Sequence, residues 1–444
     1  MTRPIRALIL ADDCNPEWPS LPVVGYKAAR AIAEHADVTV VTHVRNRENI
    51  AKAGFGKAQV EYVDNEYIAR RLYQLNTWLR GGDQVGWTTN IAMNYPSYLA
   101  FEWEVWRRFR RALEAGQFDV VHRITPMSPT LPSPLARDCP VPFVLGPLNG
   151  GLPWPEGYGS ERDREKEWLV KLREAYRYLP FYRSTYERSA LILAAFGHTL
   201  ADLPGSGRRR AINFPEVGID PELFRAATER KGERLTFLYA GRLVPYKLPG
   251  LVVECFAQSA ELRAHRLLVV GDGPERESME RTILRHDLGA QVQMLGRQPQ
   301  ARVAELMRES DVFVFPSIRE LGAGVVVEAM ASGLCCVAAD YGGPAELLAG
   351  GRGVKVPLGP REQLLLDFTR ELEAIAKEPE RAREYGRRGR EYALANLTWD
   401  VKARHTVDVY RWCQTRQGEP PAPYAEPAPA RSTQARAAEP APAP

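Results

Sequence analysis

No run of about eighteen apolar residues occurs anywhere in this 444-residue chain, so nothing in it reads as a helix that crosses a bilayer. The opening stretch, MTRPIRALILADDCNPEW, has an apolar run of only five residues, too short for a signal peptide's core. None of the six cysteines (Cys14, Cys139, Cys255, Cys335, Cys336 and Cys413) stands in CxxC spacing, which argues against a zinc site and a disulfide framework and fits a reducing cytoplasm. Charge of one sign is also missing. With 59 Lys and Arg against 55 Asp and Glu, the net charge of +4 makes no case for nucleic acid as a partner. Internal repeats are absent as well.

What is present is too long for one ordinary core, so two domains are expected. Short apolar runs alternate with helical patterns. In the first half the strand candidates are 5–12, 37–43, 118–124, 141–146 and 190–196; in the second they are 234–241, 266–273, 292–297, 311–317 and 335–340. Continuously apolar strands separated by helices imply parallel sheets covered on both faces. The expected class is α/β, with two doubly wound, Rossmann-like domains facing a cleft. The first is placed at 1–220 and the second at 221–395, joined near INFPEVGIDPELF (212–224); a terminal helix follows at 396–413, and a disordered Pro- and Ala-rich tail at 414–444. Ligands of open parallel sheets bind beyond the carboxyl ends of the strands, so residues just after strands carry the argument.

Three such places in the second half stand out. GRLVPYK presents Gly241, Arg242 and Lys247 at a strand end; a guanidinium fork and a mobile ammonium together suit a diphosphate. GDGPERE offers Gly271, Asp272 and Gly273, where a GxG turn lets backbone approach a ligand, although the third glycine of a dinucleotide fingerprint is missing. PSIRELGAGVVVEAMASG (316–333) sets Glu320 before a helix and Glu328 in its second turn, with the amides of Gly322, Ala323, Gly324 and Val325 between them, ready for an anion. Hydroxyl-binding carboxylates at both ends and anion-binding amides in the middle match a nucleotide sugar. A nicotinamide site is disfavoured because Pro316 and polar residues separate the strand from the first glycine. A hydrolase carboxylate pair is disfavoured by the helix-embedded Glu328 beside two cations.

In that order and spacing, GRLVPYK, GDGP, PSIRELGAGVVVEAMASG and GGPAE (342–346) resemble the donor domain of retaining glycosyltransferases of family four, the glycosyl transferases group 1, whose fold is GT-B. The resemblance covers about 220–395 strongly and the first domain only in pattern. It implies that Arg242 and Lys247 hold the donor diphosphate, that Glu328 holds the ribose and that Glu320 holds the transferred sugar. It also implies no metal and no cofactor besides the nucleotide-sugar co-substrate, and transfer with retention to a hydroxyl acceptor: a lipid-linked sugar, a glycan or a small molecule. Two departures are visible. ELGAG has Gly322 where an aromatic is common and Ala323 where Gly is usual, and VVHRITP keeps His122 but has Ile124 at the second position of the family's HxH. Those departures support one alternative, a catalytically silent sugar-nucleotide binder; a second is a sugar-nucleotide epimerase on the same fold, which needs carboxylates placed for elimination and readdition at C2 of the sugar.

In the first half, His122 is a catalytic candidate. Gly25 (the remnant of a glycine pair), Arg123, and Asn149, Gly150, Gly151 and Trp154 of GPLNGGLPWPEGYG are candidates for the acceptor side or the cleft. The segments 101–115 and 165–190 interleave aromatics with Arg and Lys at helical spacing, a pattern suited to peripheral contact with the anionic cytoplasmic face of a membrane.

Overall fold

The computed structural model describes residues 3–64, 87–164, 175–227 and 234–422. Two all-parallel sheets organise them. The first holds β1 (Arg6–Ala11), β2 (Asp37–His43), β3 (Gln59–Val63), β4 (Val120–Thr125), β5 (Phe143–Leu148), β6 (Leu191–Ala194) and β7 (Ala211–Asn213), in the order β3-β2-β1-β4-β5-β6-β7. The second holds β8 (Thr236–Ala240), β9 (Arg266–Val270), β10 (Val292–Gly296), β11 (Val312–Phe315), β12 (Cys335–Ala339) and β13 (Val354–Val356), in the order β10-β9-β8-β11-β12-β13. All ten strands expected from the sequence form. The three additional ones, β3, β7 and β13, are edge strands.

The apolar runs are explained by burial on both faces. Along β1, Ala7, Ile9 and Ala11 enter one core cluster while Leu8 and Leu10 enter another on the opposite face, as the two-residue period of a strand requires. The second sheet and its helices share a single cluster. In each sheet the strand order reverses at one point, between β1 and β4 and between β8 and β11. The carboxyl ends of those four strands therefore open the crevices where ligands of doubly wound sheets bind.

The chain crosses between the sheets twice, and the crossings lie side by side. The Ile219 amide donates to the Leu397 carbonyl at 2.8 Å, and the Trp399 amide donates to the Ile219 carbonyl at 3.2 Å. Gly218 is required there: a Cβ would stand 2.4 Å from the Trp399 ring. Thr398 caps the terminal helix Trp399–Thr415, its hydroxyl accepting from the Val401 amide. That helix returns Ala403, Val407, Tyr410 and Cys413 to the first sheet's core, beside the helix Leu21–Ile32. Residues 165–174 and the tail from 423 onward lie outside the described residues.

Candidate functional site

A cleft of about 1200 Å³ lies between the sheets, and the loops after β1, β4, β8 and β11 line it. Arg242, Lys247, Glu320 and Glu328 all contribute to its wall, together with Gly241, Gly271, Asp272 and the run Leu321–Val325. Residues separated by up to 87 positions in the chain are thus gathered by the switch point of the second sheet.

Lys247 ends a short helical turn, Pro245–Lys247, that follows β8. Its ammonium donates to Glu320 Oε2 at 2.6 Å and lies 4.9 Å from the Phe315 ring centre, although the residue is only 8% exposed. Arg242 is exposed, and its guanidinium donates to the Tyr246 hydroxyl at 2.5 Å. The helix Gly324–Ala331 starts at the cleft wall, so the amides of Gly324 and Val325 have no partner within the helix and are available to an anion. Ala323 supplies the left-handed turn before it, with φ of 47°, a conformation in which glycine is less strained. One turn into the helix, Glu328 accepts from the Gln300 amide nitrogen at 3.0 Å. Burial pushes its carboxyl up to about 7, against the downward pull of Gln300 and Lys27.

The glycines of the GDG turn are set by contacts within the protein. A Cβ at Gly271, where φ is 138°, would lie 1.8 Å from the Gly241 carbonyl, and one at Gly273 would lie 2.5 Å from the Leu243 carbonyl. The GDG turn is glycine-rich so that the Arg242 loop can cross it, and Gly273 does not line the cleft. The GGPAE motif buttresses the other wall: the Gly343 amide donates to the Glu320 carbonyl at 3.0 Å.

Several first-half candidates occupy different places from those expected. His122 is 1% exposed and off the cleft; Nδ1 is 2.6 Å from the Tyr410 hydroxyl of the terminal helix and Nε2 is 2.6 Å from the Gly146 carbonyl. Burial lowers its pKa to about 4. It is a clasp between β4, β5 and the terminal helix, because both ring nitrogens are already engaged by the protein. Arg123 is equally buried, donating to the Leu131 carbonyl at 2.7 Å and lying over the Tyr98 ring. Gly25 is also off the cleft: a Cβ would stand 2.5 Å from the Asp13 carbonyl, so this glycine lets its helix pack beneath the β1 loop.

The glycine- and proline-rich loop after β5 is a strap onto the second domain. Gly150 exchanges hydrogen bonds with Thr199, Gly151 packs on Asp202, and neither reaches the cleft. Trp154 meets the Tyr246 ring edge-on at 6.4 Å and lies beneath the Arg319 guanidinium at 5.0 Å, so it supports the cleft wall from behind. The Pro153 carbonyl accepts from the Tyr341 hydroxyl at 3.0 Å, and the Tyr158 hydroxyl donates to the Gly359 carbonyl at 2.8 Å. Of this loop's candidates only Asn149 lines the cleft.

Sequence reasoning missed Glu216, Gln300 and the turn Pro16–Ser20, all on the cleft wall. Glu216 sits in PEVG, between the strand end and the first crossing, where the sequence read only as a joint. Its carboxyl accepts from the Asn149 amide and lies against Gly322, where any side chain would collide with it. Among the described residues, no group of three or more His, Cys, Asp or Glu side chains is arranged to hold a metal ion.

Residues 220–391 match the family model of glycosyl transferases group 1. A D-inositol 3-phosphate glycosyltransferase of Gordonia bronchialis is 36% identical over 183 residues, covering 38% of this chain and 38% of that protein, so the chain spans well under two thirds of this relative. Over nearly the whole chain the likeness is structural. Sucrose-phosphate synthase from Thermosynechococcus elongatus superposes with a TM-score of 0.60 at 18% identity, covering 92% of this chain and 98% of that one. Anabaena HepE in complex with UDP gives 0.61 at 14% identity, covering 91% and 98%. The chain has the two-domain GT-B fold, and within it residues 220–391 resemble the glycosyl transferases group 1.

Proposed function

We propose that the chain transfers a sugar from a nucleoside-diphosphate sugar to an acceptor hydroxyl, with retention and without a metal ion. The observation that carries this reading is the convergence of Arg242, Lys247, Glu320, Glu328 and the Gly324 helix start on one cleft wall. In this reading the two cations and the free amides hold the diphosphate, Glu328 accepts from the ribose hydroxyls, and Glu320 accepts from the transferred sugar. The Lys247–Glu320 pair holds both side chains in place before the donor arrives, and Lys247 then turns to the leaving phosphate. On the front face of the sugar the bond from C1 to the phosphate oxygen breaks while the bond to the acceptor oxygen forms, and the departing phosphate takes the acceptor's proton. Negative charge grows on the leaving group, so the cations and amides contribute most in the transition state.

The test is a thermal-shift panel of nucleoside diphosphates and their sugars, followed by assay of donor hydrolysis with and without EDTA. A shift of several degrees with one base, and slow hydrolysis unaffected by EDTA, are expected. A chain that binds no nucleoside diphosphate would refute the reading.

Cytoplasmic residence with peripheral membrane contact belongs to the same proposal. No helix among the described residues is long and apolar enough to cross a membrane. The helix Trp87–Glu114 carries Trp103 at 61% exposure, but Arg107 and Arg108 pair with Glu104, and Arg110 pairs with Glu114, so much of its basic charge is compensated within the helix. Co-sedimentation with anionic vesicles at low salt tests it, and absence of binding there would remove it.

A further inference from the structure

Glu216 and Asn149 meet at the floor of the cleft from different parts of the chain, one from the first crossing and one from the end of β5. Glu216 is 4% exposed and Asn149 is 7% exposed. One carboxylate oxygen of Glu216 accepts from Asn149 Nδ2. The other, Oε2, and Asn149 Oδ1 are buried and make no hydrogen bond to the protein. Two buried acceptors without donors are costly unless a ligand supplies the donors. Both residues line the cleft, so a ligand there can reach them.

Their surroundings indicate which ligand. The carboxylate lies against Gly322, in the loop that carries Glu320 on one side and the helix start on the other; an ideal Cβ at Gly322 would be 1.8 Å from Oε1. The absence of a side chain at that position is therefore what admits Glu216 to the cleft. Groups that can donate to such a place are ammonium, guanidinium, amide N–H and hydroxyl. Burial pushes the Glu216 carboxyl up to about 7 and the nearby Lys402 amine, on the terminal helix, down to about 7; Lys402 Nζ donates to the Pro215 carbonyl and lies 4.1 Å from the Phe214 ring centre. Hydroxyls satisfy both acceptors without bringing a charge into a buried place.

We propose that Glu216 and Asn149 form a subsite for the hydroxyl groups of the transferred sugar, beside Gly322. This rests on the reading of the cleft as a sugar-nucleotide site. The pair thereby discriminates a sugar nucleotide from the bare nucleotide, a task the resemblance to group 1 enzymes leaves to Glu320 alone. Gly322 is a specificity position in this arrangement, because any larger residue displaces the carboxylate.

The experiment is isothermal titration of wild type, Glu216→Gln and Asn149→Ala with UDP, GDP, UDP-glucose, UDP-N-acetylglucosamine and GDP-mannose. For the base that binds, the ratio of sugar-nucleotide to nucleotide dissociation constants is expected to rise about tenfold in Glu216→Gln and in Asn149→Ala, with the nucleotide constant itself changing less than about twofold. A ratio unchanged in both variants overturns the inference while leaving the nucleotide site intact. If wild type binds no nucleoside diphosphate at all, whatever the base, the underlying reading fails instead, and the inference with it. A merely structural pair would weaken nucleotide and sugar nucleotide together, which also counts against the proposal. Should Glu216→Gln not fold, Asn149→Ala gives the same readout alone.

Discussion

Replacing His122 by alanine separates a structural histidine from a chemical one. The ring is 1% exposed, and both nitrogens are bonded at 2.6 Å, to the Tyr410 hydroxyl and the Gly146 carbonyl. Removing it strands two buried polar groups at about 1–3 kcal/mol each and leaves a cavity, for a loss of about 3–5 kcal/mol. In a domain of this size each kcal/mol lowers the midpoint by about 2–4 °C, so a fall on the order of 10 °C is expected by scanning calorimetry. Tyr410→Phe removes only one partner and should cost about 1–1.5 kcal/mol, and the double variant should lose less than the sum, since both changes delete the same bond. Donor hydrolysis, measured well below the lowered midpoint, should stay within about threefold of wild type. An unchanged midpoint combined with a hundredfold loss of hydrolysis would refute the reasoning and restore His122 to the chemistry.

Three further outcomes follow from the cleft. Glu328→Ala should raise the donor dissociation constant at least tenfold with little change in turnover at saturation, whereas Lys247→Ala should lower turnover about a hundredfold, because ribose contacts persist through the reaction while leaving-group charge grows; titration calorimetry and donor hydrolysis separate the two. Nucleoside-diphosphate binding should weaken as pH falls through about 7, since Glu328 is raised to that value and is protonated below it, losing its strength as an acceptor; in Glu328→Gln this component should disappear from the binding–pH curve. Gly271→Ala places a Cβ 1.8 Å from the Gly241 carbonyl at a φ of 138°, so it should displace the Arg242 loop, weaken nucleotide binding at least tenfold and lower the melting midpoint.

Most of the legible strands are buried on both faces, where the run of apolar residues is unbroken, as in LILA and VFVF; β10, VQMLG at the sheet edge, is legible though only partly buried. β3, QVEYV, alternates between exposed and buried at an edge, and β7 and β13 are three residues each, too short for a period to show. In the second domain most of the cleft-lining candidates were legible because they follow three strand ends. In the first it was not. A histidine after a strand looks the same in sequence whether it faces the cleft or the terminal helix nearly 290 residues later, and only the fold brings Tyr410 against His122. Gly150, Gly151 and Trp154 read as a ligand loop because glycine and an aromatic serve a strap between domains as well as they serve a sugar. Glu216 was hidden for the opposite reason: its partner Asn149 is 67 residues away, and its place in the cleft depends on Gly322 having no side chain.

The most direct measurement is a crystal structure of the chain grown with the nucleoside diphosphate that gives the largest thermal shift. The diphosphate should lie between the Arg242 guanidinium, the Lys247 ammonium and the amides at the start of the Gly324 helix, with the ribose hydroxyls on Glu328. Density for the nucleotide in another crevice, or a diphosphate that touches neither cation, would contradict the assignment.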